Sequence, residues 1–225
     1  MRLNDDKRQA GFSLIEIAIV LVIIGLLIGG VLKGQTLVKN SKIKRIATDT
    51  TSVQGAINAY MDSYWVLPGD DAGSATRWGT AAPGGNGNGL IQGLLLSAVN
   101  VANDAATAET THAFNHMYCE GLLKGNCIGN AATVIAHPVN PLGGITGIAD
   151  GRSAAVMGLT KKMVCMKEIP SDYAMIYDTQ FDDGAGDRGD IRGSANNEDE
   201  NTVGGPTATP YATAPVAKIL ICTGF

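Results

Sequence analysis

Residues 7–35 read KRQAGFSLIEIAIVLVIIGLLIGGVLKGQ. A short charged leader gives way at Gly11-Phe12 to an apolar run, and from Phe12 to Leu32 the only polar side chains are Ser13 and Glu16. Wound as a helix at ~1.5 Å per residue, that run is roughly 32 Å long, enough to cross a bilayer core. A secretory signal has a shorter apolar region with its small-x-small cleavage site after it. Here the small residues Ala10 and Gly11 precede the run. A cut at this point would leave the apolar segment on the mature chain.

Glu16 is the anomaly. A lone acid at bilayer depth costs about 2.5–3.5 kcal/mol on insertion scales and therefore calls for a partner. No Lys, Arg or His lies between Arg8 and Lys33. Cleavage after Gly11 would create one cation, the free amine of Phe12, a helical turn away from Glu16. The macrodipole also favours an acid near a helix N-terminus. The plainer alternative is that Glu16 snorkels to the membrane interface.

GFSLIEIAIVLVIIGLL (residues 11–27) resembles the processing site and transmembrane helix of type IV prepilins and type II secretion pseudopilins. The resemblance implies cleavage after Gly11 by a prepilin peptidase and N-methylation of Phe12. It also implies that Glu16 pairs with the Phe12 amine of an adjacent subunit during assembly. Weaker similarity to the heads of bacterial prepilin-type proteins continues through LPGDDAGSATRWG (67–79), GNGNGLI (85–91) and HAFNHMYCEGLLKG (112–125). The chain departs from many family members in lacking a proline late in the membrane helix, since its first proline is Pro68. Gly25, Gly29, Gly30 and Gly34 offer local loosening instead, each weakening a helix by ~1 kcal/mol relative to alanine. A bare positive-inside count, with three Lys/Arg in the leader and five soon after the run, would leave the long part in the cytoplasm. The processing motif and the cysteines argue for the opposite orientation.

The helical pattern outlasts the apolar run. Ile43, Ile46, Thr50, Val53, Ile57, Tyr60 and Tyr64 recur at spacings of three and four, an amphipathic stripe. One helix over residues 12–65 is expected, transmembrane over 12–32, one-sided in its second half and projecting from a globular head at 66–225. Residues 1–11 form the leader. Gly25-x-x-x-Gly29 and Gly30-x-x-x-Gly34 would permit close approach between such helices in a filament core.

Residues 68–225 hold 23 of the 29 glycines and all eight prolines, so the head is loop-rich. LIQGLLLSAV (90–99) and AETTHAFNHMYCEGLLKG (108–125) read as short helices, the second capped by Gly125. AATVIAH (131–137), KMVCMKEI (162–169), YAMIYDTQF (173–181) and VAKILIC (216–222) have the composition of strands. The expected class is α+β, a pilin-like antiparallel sheet laid against the long helix. Residues 183–215 are polar and rich in Gly and Pro, and PTATPYATAP (206–215) resembles an exposed linker or glycosylated loop.

Charge is uneven. Residues 1–45 carry eight Lys/Arg against three Asp/Glu, whereas residues 46–225 carry nine against eighteen. An acidic bulk disfavours nucleic-acid binding, which depends on cationic contacts to phosphate. The basic residues Lys33, Lys39, Lys42, Lys44 and Arg45 suit lipid headgroups or an acidic partner surface.

Four cysteines, Cys119, Cys127, Cys165 and Cys222, form an even set with three possible connectivities. The favoured one joins Cys119 to Cys127 and Cys165 to Cys222; a C-terminal disulfide is also what the pilin resemblance implies. A zinc site would want a C-x-x-C pair, and the sequence has none.

Catalytic signatures are missing: no H-E-x-x-H, nucleophile elbow or P-loop occurs. Glu109, His112, His116 and Glu120 share one face of a predicted helix at a spacing that could bind metal. A polar, solvated stripe explains them more simply. GAGDRG (184–189) fits G-x-G-x-x-G by accident, because the surrounding aspartates would repel a pyrophosphate. The same loop, DTQFDDGAGDRGDIRG (178–193), is a candidate calcium site through Asp182, Asp183, Asp187 and Asp190, with a solvated acidic turn as the alternative. Some related pseudopilins bind calcium in a C-terminal loop. Arg188-Gly189-Asp190 is too short a match to an integrin-type tripeptide to carry weight.

The sequence therefore points to a non-enzymatic filament subunit, a type IV pilin, without an obligatory cofactor. Its expected partners are copies of itself, a prepilin peptidase, an inner-membrane assembly platform and, before assembly, membrane lipid. It would reside in a bacterial inner membrane as precursor and in a cell-surface filament when mature. Alternatives are a type II secretion pseudopilin, periplasmic, and a membrane-anchored periplasmic binding domain.

Overall fold

The computed structural model describes residues 13–79, 84–93, 109–127, 135–153, 156–194, 208–211 and 218–225. The chain divides into two compact units, Met1–Ser41 and Lys42–Phe225. Helix α1, Leu14–Tyr64, runs 51 residues. Nothing in its sequence interrupts it, since no residue before Pro68 lacks a backbone N–H. It stops where Trp65 turns to φ 59° while its N–H still reaches the Met61 carbonyl at 2.8 Å, and Pro68 follows.

In the first unit, every large apolar side chain from Leu14 to Val38 is between 45% and 90% exposed. Among the described residues, α1 is the helix long and apolar enough to cross a membrane.

In the second unit α1 buries Ile43, Ile46, Thr50, Val53, Ala56, Ile57 and Tyr60. Ile43 and Ile46 pack with Met166, Ile169, Ile219 and Ile221. About two to three turns on, Val53, Ala56 and Ile57 join Phe114, Met117, Ile148 and Val164. Each fully buried aliphatic side chain contributes about 1.5–3 kcal/mol. The one polar member of the stripe, Thr50, returns its hydroxyl to the Ile46 carbonyl at 2.9 Å.

The surface it packs on is an open antiparallel sheet of four strands, β1 (Thr146–Asp150), β2 (Lys162–Pro170), β3 (Ile191–Ser194) and β4 (Lys218–Gly224), in the order β1-β2-β4-β3. β4 lies centrally beside β2, with Cys165 opposite Cys222. The register slips between Met166 and Ile169, where Glu168 adopts φ 60°. Among the described residues the unit also holds three short helices, α2 (Ser74–Trp78), α3 (Glu109–Cys119) and α4 (Ser171–Phe181). A long helix on an antiparallel sheet is an α+β arrangement compatible with a pilin-type fold.

Several sequence expectations need correction. YAMIYDTQF, read as a strand, lies within helix α4, which starts after the extended Pro170 and buries Ser171, Ala174, Tyr177 and Asp178 on one side. Helix α3 ends at Cys119 rather than at Gly125, with Gly121 in the left-handed region just beyond it. Residues 135–137 of AATVIAH and 90–93 of LIQGLLLSAV are neither strand nor helix; the rest of both stretches lies outside the described residues. Part of the supposed linker is anchored, because the Thr209 N–H reaches the Gly193 carbonyl at 2.8 Å and the Tyr211 hydroxyl reaches Asp178. Strands β1 and β3 were not foreseen.

Candidate functional site

Gly11 and Phe12 lie outside the described residues. The helix they lead into begins with a reciprocal cap. The Ser13 N–H donates to Glu16 Oε2 at 2.8 Å, and the Ile15 N–H donates to Ser13 Oγ at 3.3 Å. Ser-x-x-Glu at a helix start is the capping-box pattern, which satisfies N–H groups that have no partner within the helix. Glu16 therefore has a role within its own chain, one that the S-x-x-E spacing of residues 13–16 signals.

At the acidic turn, Asp178, Asp182 and Asp183 each offer a carboxylate oxygen within 4.8 Å of the others. Oxygens around one calcium ion sit about 2.3–2.6 Å from it, so such a separation is what a shared ion requires. Asp178 is fully buried and holds the turn: Oδ1 accepts the Gly184 N–H at 2.9 Å and Oδ2 accepts the Tyr211 hydroxyl at 2.6 Å. Burial pushes its carboxyl above the ordinary range, opposed by these two hydrogen bonds. Burial and the neighbouring acids likewise push the Tyr211 phenol up. Asp182 Oδ2 accepts the N–H groups of Asp190 and Ile191 at 2.6 and 2.8 Å. Asp183 accepts the Ala185 N–H and pairs with Arg188 at 3.1 Å. Asp190 faces Lys161 at 2.7 Å, and Asp187 is exposed. Of the four aspartates named from sequence, two belong to this group. Asp178 sits in a stretch whose composition suggests a strand, and only in the helix does its i,i+4 spacing to Asp182 become informative.

The α3 face does not form a solvated stripe. Glu109, His112 and His116 are at most 2% exposed. The loops 69–79 and 84–93 lie on it. His116 Nδ1 accepts the Gly69 N–H at 2.9 Å, and its ring stacks on Tyr60 at 6.0 Å between centroids. Glu109 accepts the N–H groups of Asn86 and Gln92 at 3.0 and 2.8 Å. Burial nonetheless raises its carboxyl above the usual range. Glu120 pairs with the Tyr64 hydroxyl. Buried Asp71 receives the Tyr60 hydroxyl at 2.6 Å and the Arg77 guanidinium, which lies 4.1 Å from the Tyr64 ring centroid. Glu109 and His116 thus organise loops, and Glu120 is engaged with the Tyr64 hydroxyl of α1.

Cys119 is bonded to Cys127 and Cys165 to Cys222. The first closes a loop at the end of α3; the second ties β2 to β4. Closing a loop between distant cysteines restricts the unfolded chain and stabilises the head by about 2–4 kcal/mol in the usual case.

Residues 6–32 match the family model of the prokaryotic N-terminal methylation motif. No curated protein and no solved structure matches the chain. The match takes in Gly11, Phe12 and the apolar run, so the chain carries a prepilin-type methylation motif together with an α+β unit.

Proposed function

We propose that this chain is the precursor of a structural filament subunit, a type IV pilin, inserted in the inner membrane and cleaved after Gly11 by a prepilin peptidase. Phe12 is then N-methylated, and an inner-membrane assembly platform draws the subunit into a helical homopolymer. What carries this reading is the methylation motif over residues 6–32, which takes in the start of α1, where the apolar side chains from Leu14 to Leu32 are exposed and Glu16 is the one charged group. The first half of α1 supplies the membrane span before assembly and the filament core after it, with the head outside. Pairing of Glu16 with the Phe12 amine of a neighbour sets the register between subunits.

The acidic group Asp178, Asp182 and Asp183 favours a second reading, a periplasmic pseudopilin of type II secretion that uses a bound divalent cation, calcium, to hold its C-terminal turn. Hard carboxylate oxygens at this spacing suit calcium.

Processing tests both readings together. Intact-mass and N-terminal peptide spectrometry, with and without a co-expressed prepilin peptidase, should give a mature chain beginning at N-methylated Phe12. A chain retaining residues 1–11, or one lacking the whole apolar run, refutes them. Electron microscopy of sheared surface material then separates a pilus from a periplasmic assembly.

A further inference from the structure

The turn GNGNGLI at residues 85–91 contains two Asn-Gly pairs, Asn86-Gly87 and Asn88-Gly89. Asn-Gly is the sequence most prone to self-modification. The glycine nitrogen attacks the asparagine side-chain carbonyl carbon, the side-chain nitrogen leaves as ammonia, and a cyclic imide forms. Water then opens the imide at either carbonyl to give aspartate or isoaspartate. Glycine favours the reaction because it has no side chain to obstruct the approach, and residues 86–89 are exposed to the water needed.

Both attacking nitrogens are held by one buried side chain. Asp70, 2% exposed, accepts the Gly87 N–H on Oδ1 at 2.7 Å and the Gly89 N–H on Oδ2 at 2.6 Å. The Asn88 N–H joins the same Oδ1 at 3.0 Å. The side-chain carbonyls under attack are held as well. Asn86 Oδ1 accepts the Asn88 N–H at 3.0 Å, and Asn88 Oδ1 accepts the Leu90 N–H at 2.9 Å. The Asn86 amide donates onward to Gln92 Oε1 at 2.7 Å. Glu109 and Arg152 fix the loop at both sides, Arg152 through the Gly89 carbonyl at 3.0 Å.

We propose that this turn is a modification site that the fold silences, with Asp70 as the silencing group. Attack requires the glycine nitrogen to give up its proton. A carboxylate bonded to that N–H stabilises the protonated form and repels the anion that would replace it. Ring closure must also swing each asparagine carbonyl carbon onto the next nitrogen, breaking the hydrogen bonds that hold its oxygen. The left-handed φ of Gly87 (73°) and Gly89 (81°) explains why the hazardous residue persists, since other side chains are strained there. Conversion of Asn86 would place a new carboxylate beside Asp70, since the two side chains share the Asn88 N–H, and isoaspartate would lengthen the backbone within the turn. Either change releases the loop, so one event exposes the second pair.

The test incubates the full chain in detergent at mildly alkaline pH and measures aspartate and isoaspartate at each site by peptide mass spectrometry. A synthetic peptide of residues 84–92 serves as the unrestrained reference. Wild type should react about tenfold or more slowly than the peptide at both sites, because hydrogen bonds must be broken first. Asp70→Asn, shown to be folded by a cooperative melt, should recover most of the peptide rate at Asn88-Gly89, since its amide cannot accept both glycine N–H groups and the Gly87 N–H keeps the Asp70 backbone carbonyl at 3.1 Å. Lys161→Ala, which loses an exposed ion pair with Asp190 and touches none of the turn's hydrogen bonds, should stay slow. Should Asp70→Asn fail to fold, Asp70→Glu replaces it, retaining the charge one methylene out of position, and should exceed the wild-type rate. Folded wild type reacting as fast as the peptide, or a folded Asp70 variant as slow as wild type, overturns the proposal.

Discussion

Replacing Glu16 separates two jobs that one carboxylate would perform. In the chain by itself, Glu16 caps the Ser13 N–H at 2.8 Å, a contact of the kind that contributes about 1 kcal/mol to a helix. In the filament it would neutralise the Phe12 amine, and breaking a buried pair by deleting one member costs ~3–5 kcal/mol. Since 1.4 kcal/mol is tenfold, that penalty lowers subunit affinity by roughly two to three and a half decades. Glu16→Ala loses both contributions. Glu16→Gln keeps an amide oxygen for the Ser13 N–H and loses only the charge. Insertion should survive in both, because removing an acid makes the run more apolar. The assay compares full-length protein in the membrane fraction with sheared filament by immunoblot, backed by electron microscopy. Both variants should remain in the membrane and fail to polymerise. Normal filaments from Glu16→Gln with failure of Glu16→Ala would assign the residue to the cap alone and refute the pairing argument. Normal filaments from both would leave Glu16 with no assembly role at all.

Other consequences are open to measurement. If Asp178, Asp182 and Asp183 hold calcium, the head's melting temperature should rise with added calcium and fall with chelator. A ligand at a hundred times its Kd adds about 2.7 kcal/mol, and superimposed melting curves would dismiss the ion. Asp178 has a folded pKa raised chiefly by burial, so its contribution to stability is present below the unfolded value near ~3.9 and is lost as pH rises through the folded value. Relative to Asp178→Asn, wild type should therefore lose stability from about pH 4 upward, and parallel stability–pH curves for the two proteins would contradict the burial argument. His116→Ala removes the acceptor of the Gly69 N–H and a ring stacked on Tyr60. Denaturant unfolding should show a loss of about 2–4 kcal/mol, and a change within ±0.5 kcal/mol would mean that α3 does not anchor the loop.

Helix α1 was legible because its buried positions repeat every three or four residues and nothing before Pro68 breaks it. β2 and β4 were legible from runs of β-branched and aliphatic residues bounded by polar ones. YAMIYDTQF has the same residue types, yet forms α4: the extended Pro170 starts the helix, and tertiary packing of Ala174 and Tyr177 decides the period. β1, TGIAD, is buried at all five positions, so it shows no alternation to detect. β3, IRGS, is too short to show a period and owes its place to β4. The α3 face misled for a different reason. A helix presenting Glu109, His112 and His116 looks solvated when the partner is missing from the local pattern. Here the partner is the backbone of loops far away in the chain.

That inversion bears on how acidic the head is to its surroundings. Residues 46–225 carry eighteen acids, but Asp70, Asp71, Glu109, Asp150 and Asp178 are buried. Each is committed to N–H groups, hydroxyls or an arginine. Asp150, for instance, takes the Arg152 side chain and the Arg152 N–H, which hold its carboxyl below the ordinary range against the effect of burial. A chain with 5% aromatic residues and 29 glycines has limited means to fix long loops by apolar packing. Carboxylates bonded to backbone N–H groups fix them instead, each such charge-assisted bond being worth about 1.5–3 kcal/mol. The surface therefore presents fewer carboxylates than the sequence count suggests. Among the described residues, Asp182, Asp183, Asp187 and Asp190 form one group of exposed acids, in the turn after α4.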